Sequence, residues 1–285
     1  MAEQSMNKES IPWGVEAIGA PNLWTQTGYG KGRVVAVIDS GCDVHHSALS
    51  SSIIASYNFT DFGDKHDVSD NVSHGTHVAG IIGARNFQNG LVGVAPYVKI
   101  LVLKVFNSLK VESFRPVIDA INFASQWVGE NGETVDIINL SLASKSENSE
   151  LEKALKEAKE KNIFIVGASG NFNNAELGDL KLFPSYFPEV IQVGAVDRDK
   201  KIAPFSTKNN KAELLAPGVD ILSTIPGNNE IALSGTSMAA PHITGLLALL
   251  LNIYSDKSID RFIKSRLINE KSLFAHYENL IKIKD

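Results

Sequence analysis

The sequence predicts a three-layer α/β fold in which a mainly parallel β-sheet is covered by helices on both faces. Three observations carry that prediction. Five short runs are almost wholly apolar and rich in β-branched residues, the pattern of strands buried on both sides. Amphipathic stretches of helical length lie between them, and such alternation calls for parallel neighbours joined by right-handed crossovers. The chain has 285 residues and is 44% hydrophobic, enough to bury a large core. No repeat, low-complexity tract or Pro/Gly/Ser linker marks an internal boundary. Residues 11–285 therefore read as one domain behind a short polar extension at 1–10.

The first predicted strand is VVAVI at 34–38. The glycines of GYGKG at 28–32 hint at a phosphate loop, but they precede this strand instead of following it, so they read as a turn. KILVLKV (99–105), DIINL (136–140), NIFIV (162–166) and VIQVGAV (190–196) are the other four strands. The clearest helix starts at Ser149, where Ser149 and Glu152 form a capping-box pair and Leu151, Leu155 and Ala158 repeat at helical spacing. GLLALLLNIY at 245–254 is too short to span a bilayer and reads as a buried helix. Ser237 precedes that helical stretch, with Pro241 near its first turn.

Composition excludes several function classes. A net charge of −5 and a pI near 5.8 leave no basic footprint for nucleic acid. The N-terminus, MAEQSMNKES, lacks the apolar core of a signal peptide, and nothing suggests a membrane partner. A single cysteine cannot form an intrachain disulfide. A soluble, cytoplasmic protein is the expectation.

Three strings carry the chemistry: VVAVIDSG (34–41), SHGTHVAG (73–80) and SGTSMAAPH (234–242). They offer an acid (Asp39), an imidazole (His74) and a hydroxyl (Ser237). A serine hydroxyl needs a neighbouring base to become a nucleophile, and a carboxylate can hold that base in the right tautomer. Asp39 ends an apolar strand, where an unpaired carboxylate is costly to bury and a histidine partner resolves the cost. Asp43 competes for the role but lies further into the loop. His74 and His77, three residues apart, could instead hold a metal. No further ligand follows at metal spacing, so no metal site is expected. Ser237 could be a plain N-capping residue, and His242, five residues on, would point away from it. Cys42 is either a reactive thiol near Asp39 or, as favoured here, a small buried hydrophobe. An α/β-hydrolase elbow would need G-x-S-x-G and an acid after the serine, and this chain has neither arrangement.

Together these strings resemble the active-site segments of the subtilisin-like serine proteases, in the family's order Asp, His, Ser. The resemblance runs from about Ile11 to about Leu250. It implies Asp39 as orienting acid, His74 as general base, Ser237 as nucleophile and Asn171, in GASGN, as oxyanion-hole donor. No cofactor is required for that chemistry. It also implies a peptide or protein substrate bound as an extended strand between Ser141-Leu142-Ala143-Ser144 and Lys110-Val111-Glu112.

The departures from the family pattern carry their own expectations. SLAS replaces the usual SLGG, so Ala143 and Ser144 should narrow the main pocket. Leu109, Lys110 and Phe172 stand where many relatives have smaller or more polar residues. Ala48 and Phe87 occupy two positions that in many relatives bind calcium through side-chain oxygens, so the usual strong calcium site reads as eroded, although a structural calcium elsewhere stays open. The mature-domain resemblance begins at Ile11, without the signal peptide and prodomain of secreted relatives; either the sequence is already processed or, as the Met at position 1 favours, the enzyme is expected to be intracellular. In this the chain resembles intracellular subtilisins and the leader peptidases of lantibiotic biosynthesis. The expectation is a selective intracellular protease that removes a leader from a precursor such as a lantibiotic. General intracellular turnover is the alternative, and a catalytically inactive binding module a remote third.

Overall fold

A computed structural model describes residues 11–88, 91–108, 113–172, 179–211 and 214–268. The helices α1 (Trp13–Ala17) and α2 (Ala20–Thr27) lead through a left-handed Gly28–Gly30 turn to β1 (Val34–Asp39). Then come β2 (Ile53–Asn58), α3 (His74–Gly83), the antiparallel pair β3 (Arg85–Asn86) and β4 (Leu91–Val92), β5 (Lys99–Lys104) and α4 (Arg115–Ala124). The chain continues through β6 (Ile137–Leu140), α5 (Ser149–Glu160), β7 (Phe164–Ala168), β8 (Ile191–Val196) and β9 (Leu214–Pro217). The hairpin β10 (Ile221–Ile225) and β11 (Asn229–Leu233) precedes α6 (Thr236–Leu250) and α7 (Asp256–Ile268).

Seven strands form one parallel sheet in the order β2-β5-β1-β6-β7-β8-β9. Alternation along β1 explains the three layers. Val35 and Val37 join a core with residues of α2, α3 and α6, while Val34, Ala36 and Ile38 join a second core under α4 and α5. A strand that must be apolar on both faces has no room for polar alternation. From β5 the chain crosses β1 to reach β6 on the other side, so the carboxyl ends of β1 and β6 flank a topological switch point, where open α/β sheets place their sites. Asp39 ends β1 and Ser141 follows β6.

Some boundaries differ from the sequence expectation. Asn148, not Ser149, caps α5, its side chain accepting from the Leu151 N–H at 2.9 Å. The strand expected at 162–166 starts at Phe164, because Asn162 takes a left-handed turn after α5. Ser237 lies inside the first turn of α6, whose N-cap is Gly235, and Pro241 sits one turn further in. The strands β2, β10 and β11 carry mixed or exposed residues and give no continuous apolar run, while β9 is apolar but only four residues long and ends in a proline. The apolar run at the end of α6 is buried, and among the described residues no helix is long and apolar enough to cross a membrane.

Candidate active site

Asp39 is buried at the end of β1, and its Oδ1 meets His74 Nδ1 at 2.7 Å while also accepting the Ser40 N–H at 2.7 Å. With Nδ1 donating to the carboxylate, Nε2 is the basic nitrogen. Burial pulls the His74 pKa down, but the charge and hydrogen bond of Asp39, with Asp70 behind it, outweigh that and leave it raised.

His74 is the first residue of α3, and the helix start is built from elsewhere in the chain. The Gly75 N–H donates to Ser40 Oγ at 2.9 Å, and Thr76 donates to Asp70 Oδ2 from its N–H (2.8 Å) and hydroxyl (2.7 Å). Ser40 Oγ donates in turn to Asp70 Oδ1 at 2.8 Å. Orphan N–H groups of a helix N-terminus are thereby satisfied by a buried carboxylate and a hydroxyl next to Asp39. Beneath them the buried Lys104, in register with Asp39, donates to the Ser69 carbonyl. Gly75 permits the close approach: a Cβ there would lie 2.1 Å from the Gly41 oxygen and 3.2 Å from the Asp39 Cβ.

Ser237 is the second residue of α6, and its N–H precedes any carbonyl of the helix that could accept it. Its hydroxyl donates to the Ser141 carbonyl at 3.1 Å. Pro241, four residues on, has no N–H for the Ser237 carbonyl, and the Ser141 hydroxyl fills that place at 2.9 Å. Asn139 Nδ2 donates to Ser141 Oγ at 3.0 Å, and Thr244 of α6 donates to Asn139 Oδ1 at 2.7 Å.

Asn171 follows β7. Its Oδ1 accepts the Thr236 N–H at 2.8 Å and the Thr236 hydroxyl at 3.0 Å, which commits the oxygen and leaves the NH2 group as the end available to a ligand. Gly235 keeps that end clear, since a Cβ there would sit 3.1 Å from Nδ2.

His74, Asn171 and Ser237 line one cleft of about 430 Å³, together with Ser141, Leu142, Ala143 and Phe172. Ser144 is not brought there. Its N–H and carbonyl both pair with Phe183 at 2.8 Å, and of the two departures only Ala143 lines the cleft. Leu109, Lys110, Val111 and Glu112 lie outside the described residues. Phe172 is half exposed at the rim, with Lys145 Nζ 5.2 Å from its ring centre.

The neighbouring titratable groups have other employment. His77 Nε2 meets the Ile231 carbonyl at 3.0 Å and His242 Nδ1 the Met238 carbonyl at 2.8 Å, and burial pushes the pKa of each down to about 4. Asp43 accepts from the Gly227 and His45 N–H groups. Cys42 is buried, which pushes its thiol pKa up and suits a small hydrophobe better than a reactive thiol. Ala48 is buried, its carbonyl taken by the Arg85 N–H at 2.7 Å, and Phe87 packs edge-on against Trp24, Tyr29 and Tyr97. Among the described residues no three His, Cys, Asp or Glu side chains cluster as metal ligands. Asp70, Ser40, Thr76, Asn139 and Thr244 were not legible as site residues. For Thr76, Asn139 and Thr244 the only sequence signal was a polar residue in an otherwise apolar strand or helix, and Ser40 and Asp70 stand in loops that gave no such signal.

The chain matches the model of the subtilase family over residues 30–279. It is 43% identical over 255 residues to an intracellular serine protease of Paenibacillus polymyxa, spanning 87% of this chain and 74% of that one. It is 39% identical over 277 residues to the major intracellular serine protease of Bacillus subtilis, spanning 96% of this chain and 83% of that one. To subtilisin DY of Bacillus licheniformis it is 33% identical over 278 residues, with 96% and 98% spanned. The parallel sheet, the acid–imidazole pair at its switch point and these likenesses agree: the chain belongs to the subtilase family and is a subtilisin-like serine endopeptidase.

Proposed function

We propose that the chain hydrolyses peptide bonds in the cytoplasm through an acyl-enzyme formed on Ser237. Asp39 holds His74 with Nε2 as the base. When a substrate enters, the Ser237 hydroxyl turns from the Ser141 carbonyl to His74, gives up its proton and attacks the carbonyl carbon. The Asn171 NH2 group and the Ser237 N–H, at the positive end of α6, stabilise the oxyanion. His74 returns the proton to the leaving amine, and water then cleaves the ester by the same route. The observation that carries this reading is the 2.7 Å Asp39–His74 bond at the edge of a cleft that Ser237 and Asn171 also line.

The substrate is a peptide laid as an extended strand along Ser141–Ala143. General intracellular turnover is the reading that the names of the two intracellular relatives support. Removal of a leader from a precursor such as a lantibiotic is a second reading, and its support is narrower: Ala143 in the cleft wall and Phe172 at its rim. Cleavage profiling of a peptide library separates them, broad cutting favouring turnover and a few related sites favouring maturation. Neither the Ala48 nor the Phe87 side chain offers an oxygen ligand, which supports the reading that the usual strong calcium site is eroded.

Ser237→Ala is expected to abolish hydrolysis and fluorophosphonate labelling while leaving the melting temperature near that of the parent. Asn171→Leu should lower kcat by about 10²–10³ with KM little changed, a magnitude carried over from the corresponding donor in subtilisin. Turnover by Ser237→Ala close to the parent would overturn the mechanism, and failure of the parent to label would point to an inactive binding module.

A further inference from the structure

Ala48 and Phe87 stand at two positions that in many relatives supply calcium with side-chain oxygens, and here both are put to another use. Ala48 brings a methyl group, and its backbone is already engaged: its N–H donates to His46 Nδ1 at 3.1 Å and its carbonyl accepts the Arg85 N–H at 2.7 Å. Phe87 brings a ring that meets three others edge to face, Trp24 at 6.4 Å and 84°, Tyr29 at 6.3 Å and 88°, and Tyr97 at 6.2 Å and 77°. Such separations and tilts are the favourable ones for ring quadrupoles. Tyr29 closes the circuit, stacked on Trp24 at 5.7 Å and tilted against Tyr97 at 5.0 Å. Arg85, two residues before Phe87 in the extended chain of β3, lays its guanidinium 4.0 Å from the centre of the Tyr97 ring. These side chains do not fit a calcium ion, which asks for about six to eight oxygens.

The rings brace the far end of the helix that carries His74. The last carbonyls of α3 have no partner inside the helix, and those of Ile81 and Ile82 accept the N–H groups of Val94 (2.9 Å) and Ala95 (2.8 Å). This capping segment is tied in turn to the rings: Trp24 Nε1 donates to the Val94 carbonyl at 2.8 Å, and the Tyr97 N–H to the Tyr29 carbonyl at 2.9 Å. Tyr29 has a left-handed φ of 59°, a conformation that a bulky residue keeps only where its surroundings enforce it. We propose that this ring cluster, closed by Phe87 and covered by the Arg85 guanidinium, takes the place of the calcium ion that many relatives hold at these positions, and so fixes the C-terminal end of α3 without a divalent cation. The proposal rests on the family assignment and not on the chemistry proposed for Ser237. A metal ion that ties segments together through oxygens is lost to a chelator. Rings and a tethered guanidinium belong to the chain and cannot be removed that way.

Thermal melts and amide hydrogen exchange of the full chain carrying Ser237→Ala test it, with self-digestion kept out of the readout and the outcome kept apart from the proposed chemistry. This reference should melt at one temperature in EDTA and in excess calcium. Phe87→Ala in the same background should melt about 5 °C or more lower in both. Its Val94 and Ala95 amides should exchange about tenfold or more faster. Arg85→Met, which keeps the apolar stem, should show part of the same fall in melting temperature. A reference that loses stability in EDTA and regains it in calcium would overturn the proposal. So would reference-like melting by either variant, unaltered exchange at Val94 and Ala95, or rescue of Phe87→Ala by calcium. If Phe87→Ala does not fold, Phe87→Leu, which keeps an apolar side chain without the ring, replaces it. That variant should melt lower than the reference and quicken the same two amides, and reference values for either would overturn the proposal.

Discussion

The hydroxyl of Ser141 donates to the carbonyl of Ser237 at 2.9 Å, in the place of the helical N–H that Pro241 cannot provide. A proline inside a helix ordinarily leaves an unpaired carbonyl. Here that carbonyl belongs to the proposed nucleophile, and its partner belongs to the segment proposed to hold the substrate. Asn139 and Thr244 extend the contact into the core, where both are fully buried.

Thr244→Val tests that relay. It removes the donor to Asn139 Oδ1 and leaves a buried amide oxygen unpaired, which costs about 1–3 kcal/mol in stability. Through Asn139 and Ser141 it should also lower kcat by about tenfold with KM little changed, within the range for a misplaced catalytic group. Thr244→Ser should recover both. A loss of stability with an unaltered kcat would confine the relay to a structural part.

The pH dependence follows from His74. Its folded pKa lies above the usual 6.5, so the acid limb of kcat/KM should fall above pH 6.5 as the base loses its proton. Stability moves the other way. A raised folded pKa contributes stability in full below the unfolded value of 6.5, and that contribution fades as pH rises through the folded value. Asp39→Asn removes the charge that raises the pKa; it should shift the acid limb to lower pH and reduce kcat by about 10⁴-fold. Rate profiles and urea midpoints across pH 5 to about 9, for parent and variant, check both trends.

Gly75→Ala should be disruptive out of proportion to one methyl group. The added carbon would meet the Gly41 oxygen at 2.1 Å, so α3 must move off the end of β1 and carry His74 away from Asp39. A stability loss of about 1–3 kcal/mol is expected by urea denaturation, together with a fall in kcat. Parental stability and rate would show that the helix start is not held where the hydrogen bonds place it.

Chelation with EDTA should leave both the melting temperature and kcat unchanged if the positions of Ala48 and Phe87 hold no ion. A bound ion present at about 1,000 times its Kd would contribute about 4 kcal/mol, a loss visible in any melt. A clear fall in Tm with EDTA, reversed by calcium, would mean that oxygens elsewhere form a strong site.

Much was legible in the linear chain because its causes are local. Continuous apolar runs reveal strands covered on both faces, and Asp39, His74, Asn171 and Ser237 stand inside segments whose small neighbours betray close packing. What the chain could not display are contacts between residues far apart in sequence. Ser40 and Asp70 serve the first turn of α3, Asn139 and Thr244 serve Ser237, and Lys211 serves a loop more than 20 residues earlier. Ser144 looked like a cleft residue until its pairing with Phe183 turned it away. The type of chemistry was thus determined by the sequence, since it depends on which functional groups are present and in which motifs. Their precision was decided by the tertiary structure alone, because each buried donor and acceptor must find a partner, and the fold determines which one is within reach.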